Sequence, residues 1–236
     1  MIDKVILITG GSKGIGLGIA TVLKKEGAKV MITGRNQDSI NNAIKDLEKI
    51  NTGEVSGIVS DVRDFHSEKS VVDKILSTWG RLDVIIANAG LGHFASIEEI
   101  TEEQWNQTID TNLTGVFHTV KASVAALKDS KGYIITIGSL AGTNFFPAGS
   151  AYNASKFGLL GFSQAIMLDL RKFGIKVTTI MPGSVASYFN DHTPNDDDAW
   201  KIQPDDIGHM VLDLLNMHPR TLPSKIEVRP SIPPSK

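Results

Sequence analysis

A chain of 236 residues, 41% apolar and 21% charged, carries enough apolar material for one sizeable α/β core. Its formal net charge of −2 gives no electrostatic footprint for nucleic acid or an anionic membrane, and neither is expected as a partner. The absence of cysteine excludes disulfides, thiolate metal sites and cysteine nucleophiles.

The N-terminal apolar stretch, Val5 to Ile8, is too short for a signal-peptide core or a membrane span, so a cytoplasmic protein is expected. Apolar, β-branched runs then recur along the chain and predict strands at 4–9, 29–33, 55–59, 82–87, 132–137 and 176–181, with a weaker seventh at 225–228. Between them, amphipathic patterns predict helices at 16–26, 39–50, 67–79, 102–128, 151–173 and 205–216. Strict alternation of the two, without repeat or break in composition, predicts a single α/β domain over 1–236. Its core is a doubly wound parallel sheet, with ligands at the carboxyl ends of the strands.

At the first strand-to-helix turn, Gly10, Gly14 and Gly16 in Thr9-Gly10-Gly11-Ser12-Lys13-Gly14-Ile15-Gly16 form a GxxxGxG variant of the dinucleotide fingerprint. Glycine permits the tight turn and close approach to a pyrophosphate, while the helix N-terminus offers free N–H groups. The alternative is an ordinary glycine-rich turn. After the second strand, Ile32-Thr33-Gly34-Arg35-Asn36 lacks the acid that bonds the ribose 2′-hydroxyl in NAD sites. Arg35 and Lys13 can instead face a 2′-phosphate, so NADP(H) is the expected cofactor, with NAD(H) use still open. The competing reading is two solvated surface cations. Asp61-Val62 after the third strand is placed to meet an adenine, Asn88-Ala89-Gly90 after the fourth to lie beside the ribose, and Pro182-Gly183 after the sixth to lie near the nicotinamide.

Tyr152 and Lys156 stand at i and i+4 of one helical pattern, so an ammonium should lie near the phenol and lower its pKa. Tyr152 is then a candidate proton donor to a carbonyl oxygen, or acceptor from an alcohol. Ser139, just past the fifth strand, is placed to hold the same oxygen. An exposed Tyr–Lys pair and a loop serine are the plain alternative.

In chain order, TGGSKGIG at 9–16, Asp61-Val62, Asn88-Ala89-Gly90, Asn112, Ser139, YNASK at 152–156 and Pro182-Gly183 resemble the short-chain dehydrogenase/reductase family from Lys4 to about Gly183. The resemblance implies a Rossmann-type sheet of about seven strands. It implies a catalytic tetrad of Asn112, Ser139, Tyr152 and Lys156, with Asn112 helping to hold a water for proton relay to Lys156. Lys156 would also bond the nicotinamide ribose, and Ser12, Ile15, Val62 and Val185 would join the cofactor site. Ser187 stands where relatives often carry a Thr that bonds the carboxamide. The family further implies a homodimer or homotetramer packed through 102–128 and 151–173.

The expected activity is NADP(H)-dependent hydride transfer to or from a small carbonyl or secondary alcohol, as in a carbonyl reductase. A sugar, hydroxy-acid or polyol dehydrogenase, a 3-oxoacyl thioester reductase and a non-catalytic NADP(H) sensor are the alternatives. The tail ends Ile226-Glu227-Val228-Arg229-Pro230 and then SIPPSK, without the TGQxxxVDGG-like ending of many thioester reductases. Specificity is expected in a lid at 184–204, with Leu91, His93, Ala141, Phe145, Phe146, Tyr188 and Phe189 as candidate apolar lining. His93 reads as a solvent-facing loop residue. Asn195-Asp196-Asp197-Asp198 reads as a solvated loop, and Asp205-Asp206 as stabilisers of a helix N-terminus. Histidine spacing predicts no metal.

Overall fold

The computed structural model describes residues 1–233. Seven strands form one all-parallel sheet: β1 (Val5–Ile8), β2 (Lys29–Gly34), β3 (Glu54–Val59), β4 (Val84–Ala87), β5 (Tyr133–Ile137), β6 (Lys176–Pro182) and β7 (Lys225–Val228). Their spatial order is β3-β2-β1-β4-β5-β6-β7. The chain therefore winds outward from β1 in one direction and then from β4 in the other, which opens a crevice beyond the carboxyl ends of these two neighbours. Ile6 is the register point, paired with Val30 on one side and Val84 on the other.

Strand alternation explains how both faces are covered. Ile6, Ile8, Val30, Ile32, Ile86 and Ile135 face one layer, against α1 (Gly14–Lys25), α2 (Gln37–Glu48) and α7 (Pro204–Asn216). Val5, Leu7, Met31, Ile85 and Ile134 face the other, against α3 (Phe65–Trp79), α5 (Gly115–Ser130) and α6 (Ser150–Leu170). Apolar residues at both odd and even positions produce the continuous runs that make these strands legible.

Five of the six helices start one or two residues before their predicted positions. Polar caps explain several of the differences. Asn36 accepts the Ser39 N–H, Asp64 accepts the His66 N–H, and Asp206 accepts the Gln203 N–H ahead of α7. Such first-turn residues lie outside the apolar periodicity. Asp205 and Asp206 occupy the first turn of α7, as expected. The predicted helix 102–128 is a different case. It divides into α4 (Glu102–Ile109), one π-helical turn (Asp110–Thr114) and α5. The wider turn places Gly115 against Val62, where a Cβ would come within 2.6 Å of Val62 Cγ2. Among the described residues no helix is long and apolar enough to cross a membrane.

Candidate active site

At the carboxyl end of β1, Gly10 and Gly14 adopt φ of +63° and +55°, the left-handed region where other residues are strained. Gly16 serves packing: a Cβ there would meet Gly10 O at 2.5 Å and Asn88 Nδ2 at 2.6 Å. The turn is stitched to the end of β4. Thr9 Oγ1 accepts the N–H groups of Asn88 and Ala89, both at 3.1 Å, and Asn88 Nδ2 donates to the carbonyls of Thr9 and Gly10. Lys13 precedes α1 without a side-chain cap, so the first-turn N–H groups face outward unpartnered by any capping side chain. That arrangement suits a phosphate.

A cavity of about 550 Å³ runs from this turn across the crevice. Gly10, Ser12, Lys13, Gly14, Ile15, Arg35, Asp61, Val62, Asn88, Ala89, Gly90, Ser139, Tyr152, Lys156, Pro182, Gly183, Val185 and Ser187 all line it. Of the predicted cofactor and catalytic residues, only Gly16 and Asn112 stand behind the wall. Thr33 and Thr111 also line the cavity, and their buried hydroxyls have no hydrogen-bond partner in the protein. Glycine turn, open helix end and orphan hydroxyls together fit a dinucleotide.

Asp61 is not free. Its carboxylate accepts from Arg63 Nε at 2.9 Å and Nη2 at 2.5 Å, and Arg63, aided by Arg35, holds it below the usual carboxylate range. The Asp-x-Arg spacing that brings Arg63 here was present in the sequence without a role assigned to it.

The catalytic candidates converge from β5 and α6. Lys156 Nζ donates to Ile137 O at 3.0 Å and lies 5.7 Å from the centre of the Tyr152 ring. Burial pushes its pKa down to about 8. Burial also pushes the Tyr152 phenol up, against the lowering effect of Ser139, which corrects the expectation that Lys156 lowers it. Ser139 lies near enough to favour the phenolate, although no well-formed hydrogen bond joins the two. Its Oγ accepts the Ala141 N–H at 3.1 Å. Asn153 holds the segment after Ser139, donating to Ala141 O and Asn144 O at 2.8 and 2.7 Å. This positioning role was not foreseen.

Asn112 sits in the π turn, fully buried, with its side chain spanning two elements. Its Oδ1 accepts the Leu91 N–H, and its Nδ2 donates to Leu91 O and Ser155 Oγ at 2.8 and 3.0 Å. The side chain thus fixes the loop after β4 to the α6 segment bearing Tyr152 and Lys156.

The model for the short chain dehydrogenase family matches residues 4–198. The chain belongs to the short-chain dehydrogenase family. It is an oxidoreductase of that family, 33% identical over 229 residues to an uncharacterized oxidoreductase of Staphylococcus aureus (strain MRSA252), with 97% of each chain covered. Among solved structures it is similar to an alcohol dehydrogenase from the archaeon Thermococcus sibiricus complexed with 5-hydroxy-NADP (TM-score 0.92, 28% identity, 99% of each chain). It is also similar to a metagenomic short-chain oxidoreductase in complex with NADP (TM-score 0.85, 30% identity, 98% of each chain).

Leu91, Tyr188 and Phe189 line the cavity as expected. Four other candidates do not. Phe145 is exposed, Ala141 is buried in its turn, and Phe146 packs on Phe94. His93 is half-buried with Nε2 3.0 Å from Gln107 Oε1, so it is neither solvent-facing nor in the wall. Phe94 was missed: its ring centre and that of Phe189 each stand 5.4 Å from that of Tyr152.

The segment 184–204 is folded rather than open. Ala186 N–H donates to Ile202 O and Ile202 N–H to Ser184 O, closing its base. Asp196 and Asp197 are exposed, but Asp198 is buried, against the expectation of a solvated run. Its own loop neighbours cover it. Lys201 Nζ meets Oδ1 and His192 Nε2 meets Oδ2, both at 2.5 Å, and these partners, Lys201 first, hold the carboxyl well below its usual range. Among the described residues no cluster of His, Asp and Glu suits a metal.

Proposed function

We propose that this oxidoreductase uses NADP(H) and interconverts a small carbonyl compound and its secondary or primary alcohol. The observation that carries the reading is the convergence of Tyr152, Ser139 and Lys156 with the glycine turn and two cations, Lys13 and Arg35, on one cavity. Arg35 and Lys13 would hold the 2′-phosphate, and the α1 N-terminus the pyrophosphate.

The bound nicotinamide supplies or accepts the hydride. In the reductive direction the Tyr152 hydroxyl donates its proton to the substrate oxygen as negative charge develops there, and in the oxidative direction it takes that proton back. Ser139 Oγ–H donates a hydrogen bond to the same oxygen and is aimed by the Ala141 turn. Lys156, charged below a pH of about 8, favours the phenolate left after transfer and bonds the ribose. Phe94 and Phe189 pack at a tilt against the Tyr152 ring and help to shield it from bulk water.

The test follows nicotinamide absorbance with NADPH and NADH in turn against ketones, aldehydes and 3-oxoesters. Turnover with NADPH exceeding that with NADH by roughly tenfold or more is expected from one charge-assisted phosphate contact. Equal or faster use of NADH overturns the cofactor assignment. No carbonyl turnover with either cofactor overturns the reaction assignment.

We also propose a homo-oligomer. Phe117 on α5 and Phe157 and Leu168 on α6 expose large apolar side chains, which supports packing through these helices.

A further inference from the structure

Four Lys and Arg cations and one imidazole line the cleft. Lys13 and Arg35 lie at the end assigned to the nucleotide phosphate and Lys156 at the reacting centre, while His192 and Lys201 line the wall contributed by the 184–204 segment. A cation beside the substrate would favour carboxylate-bearing compounds. Here, however, each oxygen of the Asp198 carboxylate is taken by one of the two groups, Oδ1 by Lys201 and Oδ2 by His192. The carboxylate is further fixed by the Asn195 N–H, which donates to Oδ2 at 3.2 Å. Gln203 Nε2 donates to the Asp198 and Lys201 carbonyls at 3.1 and 2.9 Å, so the whole turn is held in place. Leu91, Tyr188 and Phe189 supply the large apolar side chains of the same cavity, and Phe189 packs on Tyr152 together with Phe94.

We propose that Asp198 is a specificity-determining residue: by neutralising Lys201, and by holding His192 Nε2 in a hydrogen bond, it reserves the substrate end of the cleft for uncharged carbonyl compounds with apolar or aromatic substituents, and disfavours oxo acids. The inference rests on the proposed carbonyl reduction and deepens it. A single uncompensated charge about 8 Å from an anion, across a partly solvated wall, alters its binding by roughly tenfold. The Asp198→Asn variant keeps the side-chain shape and removes the neutralising charge. Lys201 then faces the cleft unpaired.

The matched probes are 4-acetylbenzoate and its methyl ester, two aryl ketones that differ only in a distal carboxylate. With NADPH, the wild type is expected to favour the ester over the acid in kcat/KM. Asp198→Asn should shift that ratio toward the acid by about tenfold, and the shift should shrink in high salt. The double variant D198N/K201M should return the ratio toward the wild-type value, because the exposed cation is gone. Loss of lid structure alone would not produce that rescue. An unchanged ester-to-acid ratio in Asp198→Asn, or a wild type that prefers the acid, overturns the inference while leaving carbonyl reduction intact. If neither ketone turns over, the affinity of 4-acetylbenzoate for the NADP⁺-loaded wild type and variants reads the same charge effect. A tighter Asp198→Asn complex then supports the inference independently of the reaction assignment. Equal affinities overturn the inference.

Discussion

Lys156 holds its proton in an almost fully enclosed setting, donating to Ile137 O. Burial lowers its pKa from 10.5 to about 8, so between those values the unfolded chain binds more protons than the folded one. Folding stability therefore rises with pH through that window, by about 3 kcal/mol when the titration is complete. Lys156→Met removes this contribution. In urea denaturation at pH 7.5 and pH 10, the stability of the variant relative to the wild type should fall by an amount of that order as pH rises. Parallel pH dependences would contradict the burial of a charged Lys156. Tyr152 illustrates what residue spacing leaves out. The i, i+4 placement of phenol and ammonium was readable, but the sign of the phenol's shift is set by its burial, to which the Phe94 and Phe189 rings come from distant loops.

Elements were legible wherever one physical rule governs many residues. Runs such as Val5-Ile6-Leu7-Ile8 declare a strand covered on both faces, and the glycines at 10, 14 and 16 declare a turn beneath a helix. The π turn at 110–114 was not legible, because one extra residue scarcely disturbs the apolar period of a helix as long as 102–128. Its consequence is local and large: Asn112 is placed to bond both backbone groups of Leu91 and also Ser155. The order of the motifs singled out Asn112, while its bonding partners needed the tertiary fold. Asp198 was misread for the opposite reason. Three consecutive aspartates resemble a solvated face, and only the return of the loop brings Lys201 and His192 onto the third.

For the whole molecule, outward winding from β1 and from β4 sets the glycine turn, the end of β4 and the start of α6 around one crevice. This placement follows from alternating strands and helices, so the architecture could be anticipated without any side-chain detail. Assembly lies beyond that rule. The apolar groups exposed on α5 and α6 lead to an expected solution mass of two or four times the 25.5 kDa chain. Size-exclusion chromatography with light scattering measures it directly, and a single monomeric species at micromolar concentration would contradict the proposed packing.

Tyr152→Phe separates the proposed proton transfer by Tyr152 from cofactor binding in the same cavity. NADPH affinity, followed by fluorescence titration, should stay within a few-fold of the wild type, while kcat for carbonyl reduction falls by about 10² to 10⁴, the usual contribution of a general acid. Undiminished turnover in Tyr152→Phe would contradict the assignment.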